Sequence, residues 1–463
     1  MQTLKPYPSY KPARVHWLGN IPEHWAEKRG KYFFREIDER SVAGDEELLS
    51  VSHTTGVTPR SQKNVTMFKA ESYVGHKVAR PNDVVINTMW AWMSALGVSK
   101  HVGIVSPAYG VYRPINGHDF LPEFVDYLLR TPLLKWEYIC RSTGIRSSRL
   151  RLYPDKFLEI AFPCPPISEQ ERMVSFLRAK EVQIRLLIRN KRRLIDLLNE
   201  QKQAIINQAV TRGLDPDAPM KPTGIDWMPE VPAHWEVKRL KTLVKNVNEQ
   251  TNSLGDGDTY IALEHVKSWT GEVSHPVDEI EFDSQVKRFA VGDILFGKLR
   301  PYLAKVTKAA RPGVCVGEFL VLRPMAEDLN GEFLELKLRS KRVIDIINSS
   351  TFGAKMPRAE WGFIGNLRIA YPSTFEEQQS ILDFIRVETD TLTKAIERTE
   401  KEIILISEYR ERLIADVVTG KLDVRHIEIT PVPDDLVIDD MEELEEELDT
   451  DEEDILEGAD AED

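Results

Sequence analysis

An internal duplication with a period near 209 residues constrains this chain more than any other feature. Trp17, the run Ile21-Pro22-Glu23-His24-Trp25 and Lys28-Arg29 return 210 residues later as Trp227, Val231-Pro232-Ala233-His234-Trp235 and Lys238-Arg239. The same offset sets Asp83-Val84-Val85-Ile86 against Asp293-Ile294-Leu295-Phe296, and Arg113-Pro114 against Arg323-Pro324. The offset is 209 for Gly144 and Gly353, and for Ile160-Ala161-Phe162-Pro163 and Ile369-Ala370-Tyr371-Pro372. It is 208 from Glu169-Gln170 and Glu377-Gln378 through Val210-Thr211 and Val418-Thr419 to Leu214-Asp215 and Leu422-Asp423. An ordered series drifting by two residues marks two copies of one unit.

Each copy has two parts. The first mixes short β-type runs (Asp83 to Ile86, Asp293 to Phe296, Val314 to Leu322) with Gly and Pro punctuation. Its clearest helices are predicted over Phe120 to Leu134 and Glu332 to Ile347. The second part, about 169–212 and 377–419, has no Pro, no internal Gly and a helical period. Ser168 and Thr374 stand where caps can start these helices, and Gly213 and Gly420 where they end. In the second helix, Leu392, Ile396, Thr399, Ile403, Ile406, Arg410, Leu413 and Val417 alternate steps of four and three. The positions 208 earlier are Ile184, Ile188, Lys191, Ile195, Leu198, Lys202, Ile205 and Ala209. Two matched heptad seams, polar at Lys191/Thr399 and Lys202/Arg410, predict that the helices pack on each other. At ~1.5 Å per residue each makes a rod of roughly 60 Å, long enough to hold two globular domains apart.

The net charge of −13 misleads when taken whole. The segment 427–463 holds 19 of the 74 acidic residues and no Lys or Arg, so residues 1–426 carry about +6. A mildly basic body permits nucleic-acid binding without establishing it. A disordered solvating tail is the default for such an acidic block. The sharper expectation is that it competes with DNA for a basic groove or docks on a partner. No run of 18 apolar residues exists, and Met1 to Pro12 lacks the apolar core of a signal peptide. Cys140, Cys164 and Cys315 form no CxxC pair and read as structural thiols of a cytoplasmic protein.

Enzymatic motifs are missing. There is no phosphate loop, no HExxH, no GxSxG and no methyl-donor glycine turn; Pro165-Pro166 is not preceded by Asn. His24 and His234 recur beside Trp25 and Trp235, and read as structural residues at a domain entrance. The segment from Ser142 to Arg151 instead gathers Arg146, Ser148, Arg149 and Arg151 about Gly144. Its copy, Ser350 to Arg358, brings Lys355 and Arg358 about Gly353. Gly allows close backbone approach, while Arg, Lys and Ser reach phosphates or base edges; a merely solvated basic loop is the alternative. Lys298-Leu299-Arg300 and Thr88-Met89-Trp90-Ala91-Trp92 follow the same strand in the two copies. Lys298 and Arg300 are contact candidates; packing explains the tryptophans equally well.

Taken together, the segments Trp17 to Trp25, Trp227 to Trp235, Pro163 to Gln170 and Tyr371 to Gln378 resemble the specificity subunits of type I restriction–modification systems. The likeness covers about residues 7–424, and the second copy departs in lacking the double proline. The resemblance implies an α+β chain of two tandem mixed α/β target-recognition domains, each followed by a long helix. The two helices would pair as an antiparallel coiled coil, with pseudo-twofold symmetry. The expected layout is a first recognition domain over 16–168, a spacer helix over 169–213 and a linker over 214–226. A second domain over 227–376, a second spacer helix over 377–420 and the acidic tail over 427–463 follow. The resemblance also implies double-stranded DNA as a partner, read at a bipartite, asymmetric site. Further partners would be modification (methyltransferase) subunits, two of them, and restriction/translocation subunits. This chain would be non-catalytic and hold no cofactor or metal; methyl donor and ATP would sit on the partners. A pure assembly scaffold and a self-contained methyltransferase–nuclease are the competing expectations.

Overall fold

The computed structural model describes residues 4–62, 72–116, 119–144, 150–255, 257–274, 285–326, 328–353 and 356–429. The chain divides into two compact units, Met1–Arg192 with Lys401–Asp463, and Arg193–Glu400. Most of the acidic tail, from 430 on, lies outside the described residues.

In the first unit an antiparallel four-stranded sheet has the order Phe34–Glu36, Gly110–Pro114, Val84–Ile86, Leu96–Val98. In the second the order is Val244–Val247, Phe319–Pro324, Ile294–Gly297, Val306–Lys308, the same topology. Strand side chains alternate between faces, and both faces here are covered. Val84 and Ile86 point into one core while Val85 points into another. Ile294 and Phe296 likewise part from Leu295. That is why these runs are apolar at every position instead of alternating. The duplicated acid and arginine hold the sheet in each unit. Arg113 Nε and Nη2 donate to Asp83 at 2.8 Å each. Arg323 does the same to Asp293 at 2.8 and 2.7 Å. Each aspartate is 1% exposed, and the bidentate cation together with one backbone N–H, from Arg80 or Ala290, makes its charge tolerable there.

The helices predicted over Phe120 to Leu134 and Glu332 to Ile347 are each two helices. They run over Pro122–Leu129 and Pro132–Arg141, and over Gly331–Leu338 and Lys341–Ser349. A buried hydroxyl residue makes both breaks. Thr131 Oγ1 donates to Leu128 O (2.8 Å) and Ser340 Oγ to Lys337 O (2.6 Å), each from an extended backbone. Such side chains compete with the helix for its own carbonyls. Pro132 adds a missing N–H in the first unit only.

The long helices span Ile167–Arg212 and Phe375–Val418. The first begins one residue before Ser168, which is therefore inside the helix. Thr374 precedes the second, and its Oγ1 accepts from Glu377 N (3.3 Å). Every seam position in both helices is buried or half-buried. Within the first unit the helices pair through Arg410 with Glu181 and Lys191 with Glu402. Two of the polar seam residues thus meet opposite charges from the other helix, which penalises a slipped register. Within the second unit Ile206, Ala209 and Val210 share a core with Ile381, Leu382 and Ile385.

Chain ends also pack in the first unit. Lys5 bridges Asp423, Tyr10–Pro12 pairs with Asn20–Pro22, and Val424 and Ile427 are buried.

Candidate nucleic-acid interface

The recurring Glu-Gln pair at the start of each long helix fixes where each domain sits on it. Glu169 accepts from Trp25 Nε1 (3.0 Å) and lies 2.6 Å from His24 Nε2. Glu377 accepts from Trp235 Nε1 (2.9 Å) and lies 2.9 Å from His234 Nε2. Gln170 donates to Asp119 O and Pro165 O and accepts from Leu121 N; Gln378 repeats this with Asp328 O, Pro372 O and Asn330 N. Both histidines thus pair with the glutamate at the entrance of the long helix in their own copy.

Beyond this shared frame each unit presents a short hairpin. In the first, Thr143 and Arg151 exchange two backbone bonds of 3.0 Å, and Leu152 N donates to Thr88 O. In the second, Phe352 and Arg358 exchange bonds of 3.2 and 3.0 Å, and Ala359 N donates to Lys298 O. Arg151 and Arg358 thus hold one structural position although they are 207 residues apart, the first loop being two residues longer. Thr88 matches Lys298, donating Oγ1 to Ala108 O where Lys298 N donates to Glu318 O. Trp90 then matches Arg300, and Ala108 matches Glu318.

The sequence-predicted residues meet these hairpins unequally. Lys298, Arg300 and Arg358 come together: Arg300 N donates to Pro357 O at 2.7 Å, and Leu299 bridges Arg358. Arg300 is exposed in a left-handed backbone (φ 48°, ψ 59°), a strained choice for a non-glycine residue. Its guanidinium has no partner among the described residues, nor has that of the exposed Arg151. Arg146, Ser148, Arg149 and Lys355 lie outside the described residues.

Sequence reasoning missed Glu318. Its carboxylate accepts from Arg358 (3.2 and 3.3 Å) and lies 3.9 Å from Lys298 Nζ. A lone acid at the start of an apolar strand gave no signal of this. It also passed over Phe352 and Met356, which stand 71% and 49% exposed on the same hairpin. Lys287 lies behind the cluster, donating Nζ to Phe319 O (2.8 Å); burial, then the nearby Lys298 charge, lowers its pKa. Lys77 repeats that bond to Tyr109 O, so this lysine belongs to the shared frame. The second rim is therefore charged and ion-paired, whereas the first carries Thr88, Trp90 and Ala108.

No group of three His, Cys, Asp or Glu among the described residues is placed to hold a metal ion. None of their helices is long and apolar enough to cross a membrane. Burial pushes the Cys315 thiol up to about 12 and the Cys164 thiol to about 11, away from nucleophilic use.

No family model matches the chain. Its sequence is similar to the type I restriction enzyme EcoDI specificity subunit of Escherichia coli, with 21% identity over 200 residues. The match takes in 42% of this chain and spans 44% of that relative's length, less than half of it. The fold is similar to a chain solved in work on complex assembly and conformational transition of the type I R-M system. The TM-score is 0.53 at 17% identity, covering 87% of this chain and 99% of the other. The HsdS subunit from Thermoanaerobacter tengcongensis aligns at a TM-score of 0.40 with 16% identity. By sequence, then, the chain is similar to a specificity subunit of a type I restriction enzyme, and by fold to a chain from a type I R-M system.

Proposed function

We propose that this chain is the DNA-specificity subunit of a type I restriction–modification complex. It recognises a bipartite, asymmetric site and directs methylation and cleavage by its partner subunits. The carrying observation is the hairpin that both domains present on one framework with different side chains. A repeated reader gives two half-sites, and divergent rims make the halves unlike. The recognition domains are 16–168 and 227–376. Arg151, Lys298, Arg300 and Arg358, with Arg146, Ser148, Arg149 and Lys355 on the same segments, supply phosphate and base contacts.

The paired helices serve as spacer and as the seat of two modification subunits, with restriction/translocation subunits joining that assembly. Support comes from apolar residues left exposed off the seam, such as Leu187, Ile404 and Leu405 (45, 58 and 62% exposed), which a partner would cover. The chain itself is non-catalytic and cytoplasmic; methyl donor and ATP are held by the partners.

The test is co-expression with a type I modification subunit encoded beside it, followed by genome-wide mapping of methylated bases. One split motif with a fixed gap is expected, and exchanging residues 16–168 should change one half only. An intact complex that methylates without a motif would sink the proposal and favour a scaffold.

A further inference from the structure

The second unit contains a cationic cleft whose three cations have no counterparts at the matching positions of the first. It has a volume of about 70 Å³ and lies where the end of the first long helix meets the hairpin about Trp227 and the helix pair 331–349. Arg212, Lys337 and Arg342 line it together with Ser340, Trp227 and one carboxylate, Glu230. Arg212 and Arg342 are exposed and carry no ion pair or side-chain hydrogen bond among the described residues; Glu230 pairs with none of the three cations.

Lys337 is 2% exposed. Its Nζ donates to Val210 O (2.7 Å) in the last turn of the first long helix and lies 5.5 Å from the centre of the Trp235 ring. A carbonyl and a ring face solvate an ammonium but do not neutralise it. Burial, then the like charge of Arg342, lowers its pKa to about 7.

Nothing in the shared frame needs these charges. Ser340 and Thr131 bond back to Lys337 and Leu128, which fixes the alignment of the two helix pairs. On that alignment the first unit has Leu128 for Lys337 and Leu133 for Arg342, and the 208-residue offset sets Gly420 against Arg212. Three cations thus crowd one cleft with a single unpaired acid, and the sister unit does without all three.

The geometry points to a tetrahedral-oxyanion site, of the phosphate or sulfate class, held by Arg212 and Arg342 at the mouth and Lys337 at the base. A dianion relieves the repulsion between Arg342 and Lys337 and restores the ammonium's charge, while Ser340 Oγ remains bonded to its own helix. The phosphate is either a free ion or one phosphate of a DNA backbone.

Sulfate is the probe, because its charge does not change between pH 6 and 8.5. Calorimetric titration of the full chain should show one site in the second unit, tighter at pH 6, where Lys337 is charged, than at pH 8.5. Arg212→Gln/Arg342→Gln, two exposed changes, should weaken it at least tenfold. Lys337→Leu, the first unit's own solution, should weaken it and flatten its pH dependence. Binding of a non-specific duplex separates the sources. A weaker duplex with a shallower salt slope in the double variant assigns the site to the DNA backbone. An unchanged duplex with lost sulfate binding assigns it to a free anion. Sulfate binding that is absent, or equal in the double variant, together with an unchanged duplex, overturns the site.

Discussion

Arg113 grips Asp83 in one unit as Arg323 grips Asp293 in the other, bond for bond, yet Trp90 and Ala108 stand where Arg300 and Glu318 stand. The sheet, the helix entrance and its Glu-Gln anchor are held in common; the hairpin rim is not. A duplicated frame with unlike rims is what two different half-sites demand, since the frame sets position and the rim sets chemistry. The difference also locates function: what both units keep is structural, and what one unit changes is a candidate for recognition.

The frame can be broken first. Arg113→Met and Arg323→Met each leave a buried carboxylate without its cation, a loss of about 3 kcal/mol from the unit concerned. Denaturant unfolding should show comparable losses in the two variants. Loss in only one would mean that the matched pairs are not equivalent supports.

The next contrast is Lys337 against Leu128. Below pH 7 the lysine is protonated folded and unfolded, so its contribution is flat. Between about 7 and its ordinary 10.5 the folded form sheds the proton that the unfolded chain keeps, so stability rises with pH in that window. The slope is at most about 1.4 kcal/mol per pH unit. Lys337→Leu should remove it, and a slope that survives the change would place the titration elsewhere.

Much of this was legible in the sequence. The drifting repeat announced two like domains, and the seams from Ile184 to Ala209 and Leu392 to Val417 announced paired helices, because periodicity survives in linear text. The break at Ser340 was not legible, since a hydroxyl stops a helix only when burial leaves it no water to bond; the one at Thr131 was marked by Pro132, which the expectation of a single helix over Phe120 to Leu134 passed over. Nor was the equivalence of Arg151 and Arg358, because the shorter second loop moves the offset to 207 inside a segment with few other matches. Glu318 was invisible for a related reason: its partners lie 20 and 40 residues away and meet only through the hairpin. The bridge between Lys5 and Asp423 joins segments more than 400 residues apart that no local pattern connects.

Recognition itself gives the next contrast. Arg300→Ala should relax discrimination in the half-site of the second domain by about 1–2 kcal/mol, the worth of a side chain at a base edge. Trp90→Ala, at the same position of the first domain, removes no charge and should leave the salt slope of binding unchanged. Competition binding of the assembled complex against half-site variants reads both. Equal loss at the two halves after Arg300→Ala would mean that the rims do not act separately.

The smallest effect is the most diagnostic of how the second rim is set. Glu318 holds Arg358 and stands near Lys298, so in the free protein it neutralises cations that a phosphate would otherwise attract. Arg358 is half-exposed, and such a pair is worth about 1 kcal/mol or less. Glu318→Gln should therefore leave stability nearly unchanged. It should raise affinity for any duplex a fewfold, steepen the salt slope by about one and narrow the gap between specific and non-specific DNA. The reciprocal change, Ala108→Glu, places an acid near Arg151 and should lower non-specific affinity through the first domain. If both substitutions shift binding in the same direction, the acid is not restraining its rim. The charge difference between the two hairpins would then have to be read as direct base contact by Glu318, accepting from a cytosine amino group, and Glu318→Gln would cost affinity at one base pair only.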